Sequence, residues 1–253
     1  IIERASFEEL TAEGVELYSD LRSDRTPIEL LGDWYEDRLA KPARHAREEP
    51  ITVTDGSSDS PDRERVDALF EGFGANQLLA VSRRRPRGVE RLDAELHRRH
   101  VEAHDAARDR QFVTGEPVMM TTNDYERGLF NGDRGVILRV RRTPEGRASP
   151  RAVFPTRHGY RPFAIGPLAR HLDHAWSLTV HKAQGSEFEH VGFVLPDEDI
   201  PLLTRELLYT GMTRAERSVV FFGRSELIRR AAARSDERNT GLVERLESTD
   251  RPE

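Results

Sequence analysis

Apolar positions change their spacing several times along the chain, and each change predicts a different element. From Ile1 to Leu21, the residues Phe7, Leu10, Val15, Leu17 and Leu21 fall at helical spacing and predict a helix. Thr26-Pro27 opens a second helix, with Ile28, Leu31, Trp34, Tyr35 and Leu39 on one side. Residues 42–64, rich in Pro, Glu, Asp, Ser and Arg, read as a flexible connector with disorder at 54–61. A helix resumes from Val66 to Phe73, and Gln77 to Ser82 reads as a buried strand. That strand ends on Arg83, Arg84 and Arg85, then Pro86-Arg87-Gly88, before a helix from Val89 to about His104.

From Phe112 the spacing shortens. Strands at Pro117–Thr121, Gly135–Val140 and Ala152–Pro155 alternate with turn signals at Asn123-Asp124, Asn131-Gly132-Asp133 and Pro144-Glu145-Gly146. This predicts a small antiparallel unit with an Asn-Gly hairpin, inserted into an α/β chain. The α/β pattern then returns. Strands are expected at Ala175–Val180, Val191–Leu195 and Ser218–Phe222, with helices at Thr204–Thr213 and Ser225–Ala233. Repeated alternation of this kind implies a mainly parallel sheet. The expected division is a helical lead-in and linker over 1–65, an α/β domain formed by 66–111 and 171–253, and an insert at 112–170.

Composition narrows the function classes. The chain has 253 residues, 36% hydrophobic and 33% charged, with net charge −6 and no cysteine. Disulfides and cysteine-based metal or redox sites are therefore excluded, and a cytoplasmic setting with no membrane partner is expected. The negative balance leaves room for a local basic groove. Only Lys41 and Lys182 are lysines among 39 basic residues. The chain opens without methionine and is expected to be part of a longer one.

Candidate chemistry concentrates in Ala175 to Phe188, AWSLTVHKAQGSEF. An apolar strand breaks there into Thr179, His181, Lys182, Gln184 and Glu187, and a helix N-terminus is expected to follow. Donors and a cation at a sheet rim suit a polyanion or nucleotide; a solvated strand-to-helix loop has the same composition. No lysine follows a glycine, so the chain has no G-x-x-x-x-G-K-[ST] phosphate loop. The nine histidines are scattered and read as surface residues, and no metal site is expected.

Thr179–Phe188 (TVHKAQGSEF) and Thr204–Glu216 (TRELLYTGMTRAE) resemble motifs V and VI of superfamily 1 DNA helicases, in particular the RecD family, the alpha subunits of exodeoxyribonuclease V. Pro117–Tyr125 with Gly128–Asp133 resembles the entry to that family's SH3-like insert. Arg83, Pro86, Gly88, Val89 and Glu90 resemble motif IV, and Glu237–Leu242 resembles the family's C-terminal end.

The resemblance implies an α/β, RecA-like second motor domain (2A) carrying an SH3-like β-barrel insert (2B). In that family ATP with Mg2+ is held mainly by a first motor domain, outside this sequence, so the piece alone is expected to be inactive. Carried onto this chain, Arg83 and Arg214 become arginine fingers, and Gln184, Gly185 and Glu187 nucleotide neighbours. Thr179, His181, Lys182, Asn123 and Asn131 become contacts to single-stranded DNA. The implied whole is a 5′-3′ helicase subunit acting in double-strand-break repair beside RecB- and RecC-like subunits. Two alternatives stay open: a non-hydrolytic nucleic-acid-binding or subunit-docking module, and a stand-alone or relaxase-type helicase of the same superfamily.

Overall fold

The computed structural model describes residues 1–4, 10, 11, 13–18, 34–53, 61–104, 110–141, 143 and 146–234. In chain order the elements are β1 (Ile2–Arg4), β2 (Gly14–Tyr18), a π-helical turn (Tyr35–Leu39) running into α1 (Ala40–Glu48), β3 (Ile51–Thr52), α2 (Arg63–Ala75), β4 (Asn76–Ala80) and α3 (Val89–Ala103). There follow β5 (Pro117–Met120), β6 (Arg134–Arg141), β7 (Ser149–Pro155), β8 (Tyr160–Phe163), the single turn α4 (Ile165–Leu168) and β9 (Leu172–His174). The chain continues with β10 (Ser177–Thr179), β11 (Phe188–Val194), α5 (Arg205–Met212), β12 (Ala215–Phe222) and α6 (Ser225–Ala233).

Six strands form one sheet in the order β1-β2-β12-β11-β4-β10, and every pairing in it is parallel. Neighbouring residues on its central strands point to opposite faces, as period two requires. Leu78, Val194 and Phe222 enter one core with Trp34, Phe73 and Trp176, while Leu79, Phe193 and Phe221 enter another with Leu207 and Leu227. Both faces are covered, so these strands read as continuous apolar runs. Among the described residues no helix is long and apolar enough to cross a membrane.

The N-terminal third departs from the sequence reading. The helix expected over Ile1–Leu21 is replaced by β1 and β2, which extend the parallel sheet through β12. Gly14, at φ +67°, ends any helical run before Val15, and Leu17 and Tyr18 are buried in the two cores. The connector expected at 42–64 holds α1, β3 and the start of α2 instead. Composition concealed a stripe of Ala40, Ala43 and Ala46, all buried at i, i+3, i+6 spacing. Pro42 lies over Gly72 of α2, where an added Cβ would come within 3.1 Å of it. Residues 19–33, 54–60 and 235–253, which carry the start of the second expected helix, most of the expected disorder and the C-terminal resemblance, lie outside the described residues.

The second sheet is antiparallel, in the order β8-β7-β6-β5-β9, with β3 added in parallel to β6. Its pairings do not close it into a barrel, and two of its strands come from outside 112–170. The Asn-Gly signal makes no two-residue hairpin. β5 and β6 are joined through residues 121–133, and Gly132, at φ +98°, serves a turn from Phe130 to Asp133 at the end of that loop.

The two sheets are joined by polar groups as well as by apolar packing. Val136, Leu138 and Val153 of the antiparallel sheet share the core of Leu78 and Trp176. Buried Gln77 donates from Nε2 to the Trp176 carbonyl (3.1 Å), and its Oε1 accepts from Arg134 Nη2 of β6 (2.7 Å). Burial lowers the Arg134 guanidinium to about 10, still charged at neutral pH, and its head lies 5.4 Å from the Phe188 ring centre. Gln77→Leu strands that charge without its acceptor and is expected to cost about 2–3 kcal/mol in denaturant unfolding. Adding Arg134→Met should recover part of the loss, because both polar partners are then gone.

Candidate functional site

Parallel pairing gives the first sheet two chemically distinct ends. Ala80 pairs with both Thr179 and Val194, which marks the C-terminal end; Phe188 pairs with Ala215 at the N-terminal end. From Phe188 to Val194, strand rise alone separates the ends by about 20 Å. The predicted site residues divide between them.

Arg214 sits at the N-terminal end, between α5 and β12. Thr204 caps α5, its Oγ1 accepting from Leu207 N (3.2 Å), and the helix ends at Met212. Arg214 Nε then donates to the Thr210 carbonyl (3.2 Å), which suits a cation at a helix C-terminus. Its Nη1 reaches the Ser186 carbonyl (3.2 Å) and its Nη2 the Thr213 hydroxyl (3.3 Å). Three of its five N–H donors are thus held by neutral oxygens, and it meets no carboxylate among the described residues. Gln184, Gly185 and Glu187 surround the Ser186 contact and are exposed.

The helix N-terminus expected to follow this strand and its turn is absent, and β11 comes next. Ala183 N donates to the Thr179 carbonyl and Ser186 N to the Ala183 carbonyl; Gly185 takes φ +85°, and β11 starts at Phe188. Residues 180–187 are a chain of turns, so no helix dipole acts on this loop.

At the C-terminal end, Thr179 Oγ1 accepts from Lys182 N (3.2 Å), and His181 and Lys182 project into solvent. Arg83 also belongs here, beyond the end of β4. Gly88 closes its loop so tightly that an added Cβ would lie 2.6 Å from the Arg83 carbonyl. Arg83 Nε pairs with Glu90 Oε1 (3.0 Å) and Nη2 with Asp173 Oδ2 (3.0 Å). Arg83 therefore follows the C-terminal end of β4, whereas Arg214 precedes the N-terminal end of β12 in the same parallel sheet.

Asn123 and Asn131 lie on the 121–133 loop of the second sheet, between β5 and β6. Asn123 Oδ1 accepts from Asn131 N (2.8 Å), and its Nδ2 donates to the Tyr125 hydroxyl (3.0 Å). The exposed Asn123 amide braces the loop through Asn131. What the loop presents is Tyr125 and Phe130, 77% and 48% exposed, their rings edge-to-face at 6.1 Å. A cleft beside them is lined by Arg127, Arg170 and His171. Sequence reasoning passed over these two aromatics, although ring side chains inside a polar, turn-rich stretch were the available signal.

The UvrD-like helicase C-terminal domain family matches residues 174–222, the span holding β10, the turns, β11, α5 and β12. Over 189 residues, the chain is 38% identical to the RecBCD enzyme subunit RecD of Mycobacterium tuberculosis, an alignment spanning 72% of this chain and 31% of the relative. Identity to the RecD subunit of Haemophilus influenzae is 32% over 184 residues, 72% of this chain and 27% of that one. The chain is homologous to the C-terminal portion of RecD. The ATP-dependent RecD2 DNA helicase of Deinococcus radiodurans is 35% identical over 178 residues, 69% of this chain and 24% of its own length. The chain thus spans less than a third of the RecD relatives it matches. Bacteroides Pif1 bound to ssDNA, at 15% identity, aligns over 94% of this chain and 57% of its own with a TM-score of 0.35, too distant to carry detail.

In this RecD-like chain the C-terminal end of the sheet is braced by one buried acid. Asp93 of α3 accepts from both Ser177 N and Ser177 Oγ (2.8 Å each), tying the helix to β10 just before Thr179. Burial raises its carboxyl well above the usual range, outweighing the two Ser177 hydrogen bonds, and the charges of Asp173 and Glu116 add to the rise. The unfolded group titrates at about 3.9. Above that pH the folded state binds more protons than the unfolded one, so stability falls as pH rises towards the folded value. Asp93→Asn mimics the protonated form. Unfolding measured from pH 4 upward should show the wild type losing stability relative to Asp93→Asn; parallel profiles would refute the assignment.

Proposed function

We propose that this chain is the second motor domain of an ATP-driven DNA helicase of RecD type, with Arg214 as its contribution to ATP hydrolysis. The observation that carries this is the state of Arg214: a cation held by backbone carbonyls, unneutralised, beside the exposed loop Gln184–Glu187. Such a guanidinium is prepositioned for a phosphate, whose oxygens its planar fork can meet two at a time. ATP with Mg2+, bound mainly by the first motor domain of the intact protein, supplies the phosphoryl group. This chain's part is to bring Arg214 to it and to set Gln184 and Glu187 at the nucleotide's rim.

The DNA strand is assigned to the other end of the sheet and to the insert. Thr179, His181 and Lys182 offer a hydroxyl, an imidazole and an ammonium at the end of β10, while Tyr125 and Phe130 offer faces on which bases stack. Residues 180–187 join the two ends directly, so a change at the nucleotide loop shifts the strand contacts through very few bonds. Several of the relatives are RecBCD enzyme subunits, which supports RecB- and RecC-like partners and a role in break repair. The relative that is an ATP-dependent RecD2 DNA helicase supports a stand-alone helicase as the second reading.

In the intact protein, Arg214→Ala should lower DNA-stimulated ATP turnover by about 10³-fold or more while leaving strand affinity nearly unchanged. Arg83→Ala should cost far less, since Arg83 belongs to the opposite end. Equal losses from both would restore the shared-phosphate arrangement and sink this one. Tyr125→Ala should weaken single-strand affinity by about 10-fold, the value of one stacked base. Unchanged affinity in Tyr125→Ala and Phe130→Ala would remove the insert from the strand path.

A further inference from the structure

Two of the nine histidines come together on a single carboxylate, which their sequence positions gave no reason to expect. His97 lies in the middle of α3, Glu116 immediately before β5, and His174 at the end of β9. His97 Nδ1 is 2.6 Å from Glu116 Oε1, and His174 Nε2 is 3.3 Å from Glu116 Oε2. One ligand-type atom from each residue falls within 4.8 Å of the other two. The Glu116 side chain is wholly buried, whereas the imidazoles keep 20% and 18% of their surface. They share a cleft of about 380 Å³ with Arg83, Asp93 and Asp173.

We propose that His97, Glu116 and His174 form a binding site for one divalent transition-metal ion of the zinc class. Two imidazole nitrogens and one carboxylate oxygen make a three-ligand set, and the cleft leaves a further position for water. This mixture selects zinc, cobalt or ferrous iron over magnesium and calcium, which prefer oxygen alone. Metal–ligand bonds of about 2.0–2.2 Å place tetrahedral ligand atoms about 3.3 Å apart. His174 Nε2 already stands at that distance from Glu116 Oε2; His97 Nδ1, now 2.6 Å from the other oxygen, has to turn towards it, within the 4.8 Å that encloses one ligand atom from each residue. The carboxylate is fixed from behind, because Glu116 Oε2 also accepts from Val113 N (2.7 Å). The Phe112 ring, 5.0 Å from that of His174, shields one flank. Such outer contacts orient ligands in metal sites.

The placement suggests what the ion does. α3 rests on the parallel sheet, whereas Glu116 and His174 belong to the antiparallel one. His174 is next in sequence to Asp173, the partner of Arg83. A bound ion would clamp the two sheets together and fix the strand that holds Arg83. This is separate from the magnesium that accompanies ATP and independent of the Arg214 assignment.

The test uses the purified chain, stripped with a chelator and titrated with Co2+, then with Zn2+ in competition. Expected are one equivalent of Co2+ with the visible absorption of a low-coordinate N/O site, its displacement by Zn2+, and no displacement by excess Mg2+. Zinc at about 100 times its Kd should raise Tm by about 5 °C or more. His174→Ala should weaken binding by more than about 100-fold. His97→Gln keeps a hydrogen-bond donor towards Glu116 while removing a ligand, so it should fold normally and lose the ion. Absence of both the Co2+ bands and the Zn2+-dependent Tm shift in the wild type would overturn the proposal and leave a carboxylate–imidazole staple. Binding unchanged in both variants would overturn it as well.

Discussion

The uniform direction of the six-stranded sheet is the constraint on which the rest depends. Because β10, β4, β11 and β12 all run the same way, each loop between them is committed to one end or the other. Ala80 and Val194 finish together, so the residues after them crowd one end. Phe188 and Ala215 begin together, so Arg214 and Ser186 meet at the other. The single stretch TVHKAQGSEF cannot keep all its polar side chains at one place. It must travel from the end of β10 to the start of β11, and its chemistry is divided along the way. A motif that is contiguous in sequence therefore places its polar residues at two ends of the sheet, joined by a short bridge.

The sheet's interior was legible because alternation leaves no freedom. Leu78-Leu79 and Phe221-Phe222 are pairs of large apolar residues whose only solution on a strand is one core on each face. The edges were not legible, since short segments satisfy more than one period. Val15, Leu17 and Leu21 fit a helix as well as a strand until Gly14 and the open edge of β12 are considered, and that edge is a tertiary fact. The alanine stripe of α1 was hidden by the charged residues between its members. Among site residues, chemistry was legible and placement was not. Sequence marked Arg83, Arg214, Asn123 and Asn131 correctly as polar groups in loops, but not that Asn123 and Asn131 are bonded to each other's segment.

The insert is not an appendage on a hinge. Its strands share a core with the parallel sheet, and buried polar links cross the same boundary, among them Arg134 to Gln77 and the Glu116 carboxylate to His97. Buried polar links are geometrically demanding, because a partner that moves away leaves an unsatisfied group behind. Relative motion of the two sheets would therefore break several at once.

Two arginines remain to be ranked, and their partners alone do not rank them. Arg83 is paired with Glu90 and Asp173, yet its side chain is half exposed. Ion pairs that exposed are worth only about 0–1 kcal/mol each, so a phosphate could displace them. Position decides instead. An anion reaching Arg83 would come up against the Glu90 and Asp173 carboxylates and the Asp93 side chain in the same cleft, and the repulsion would offset much of what one guanidinium offers. At Arg214 there is no carboxylate among its partners, and its contacts are carbonyls and a hydroxyl that orient the guanidinium without cancelling its charge. A cation that is fixed and uncompensated presents its full field to whatever approaches, and that is the condition for stabilising charge that develops during a reaction.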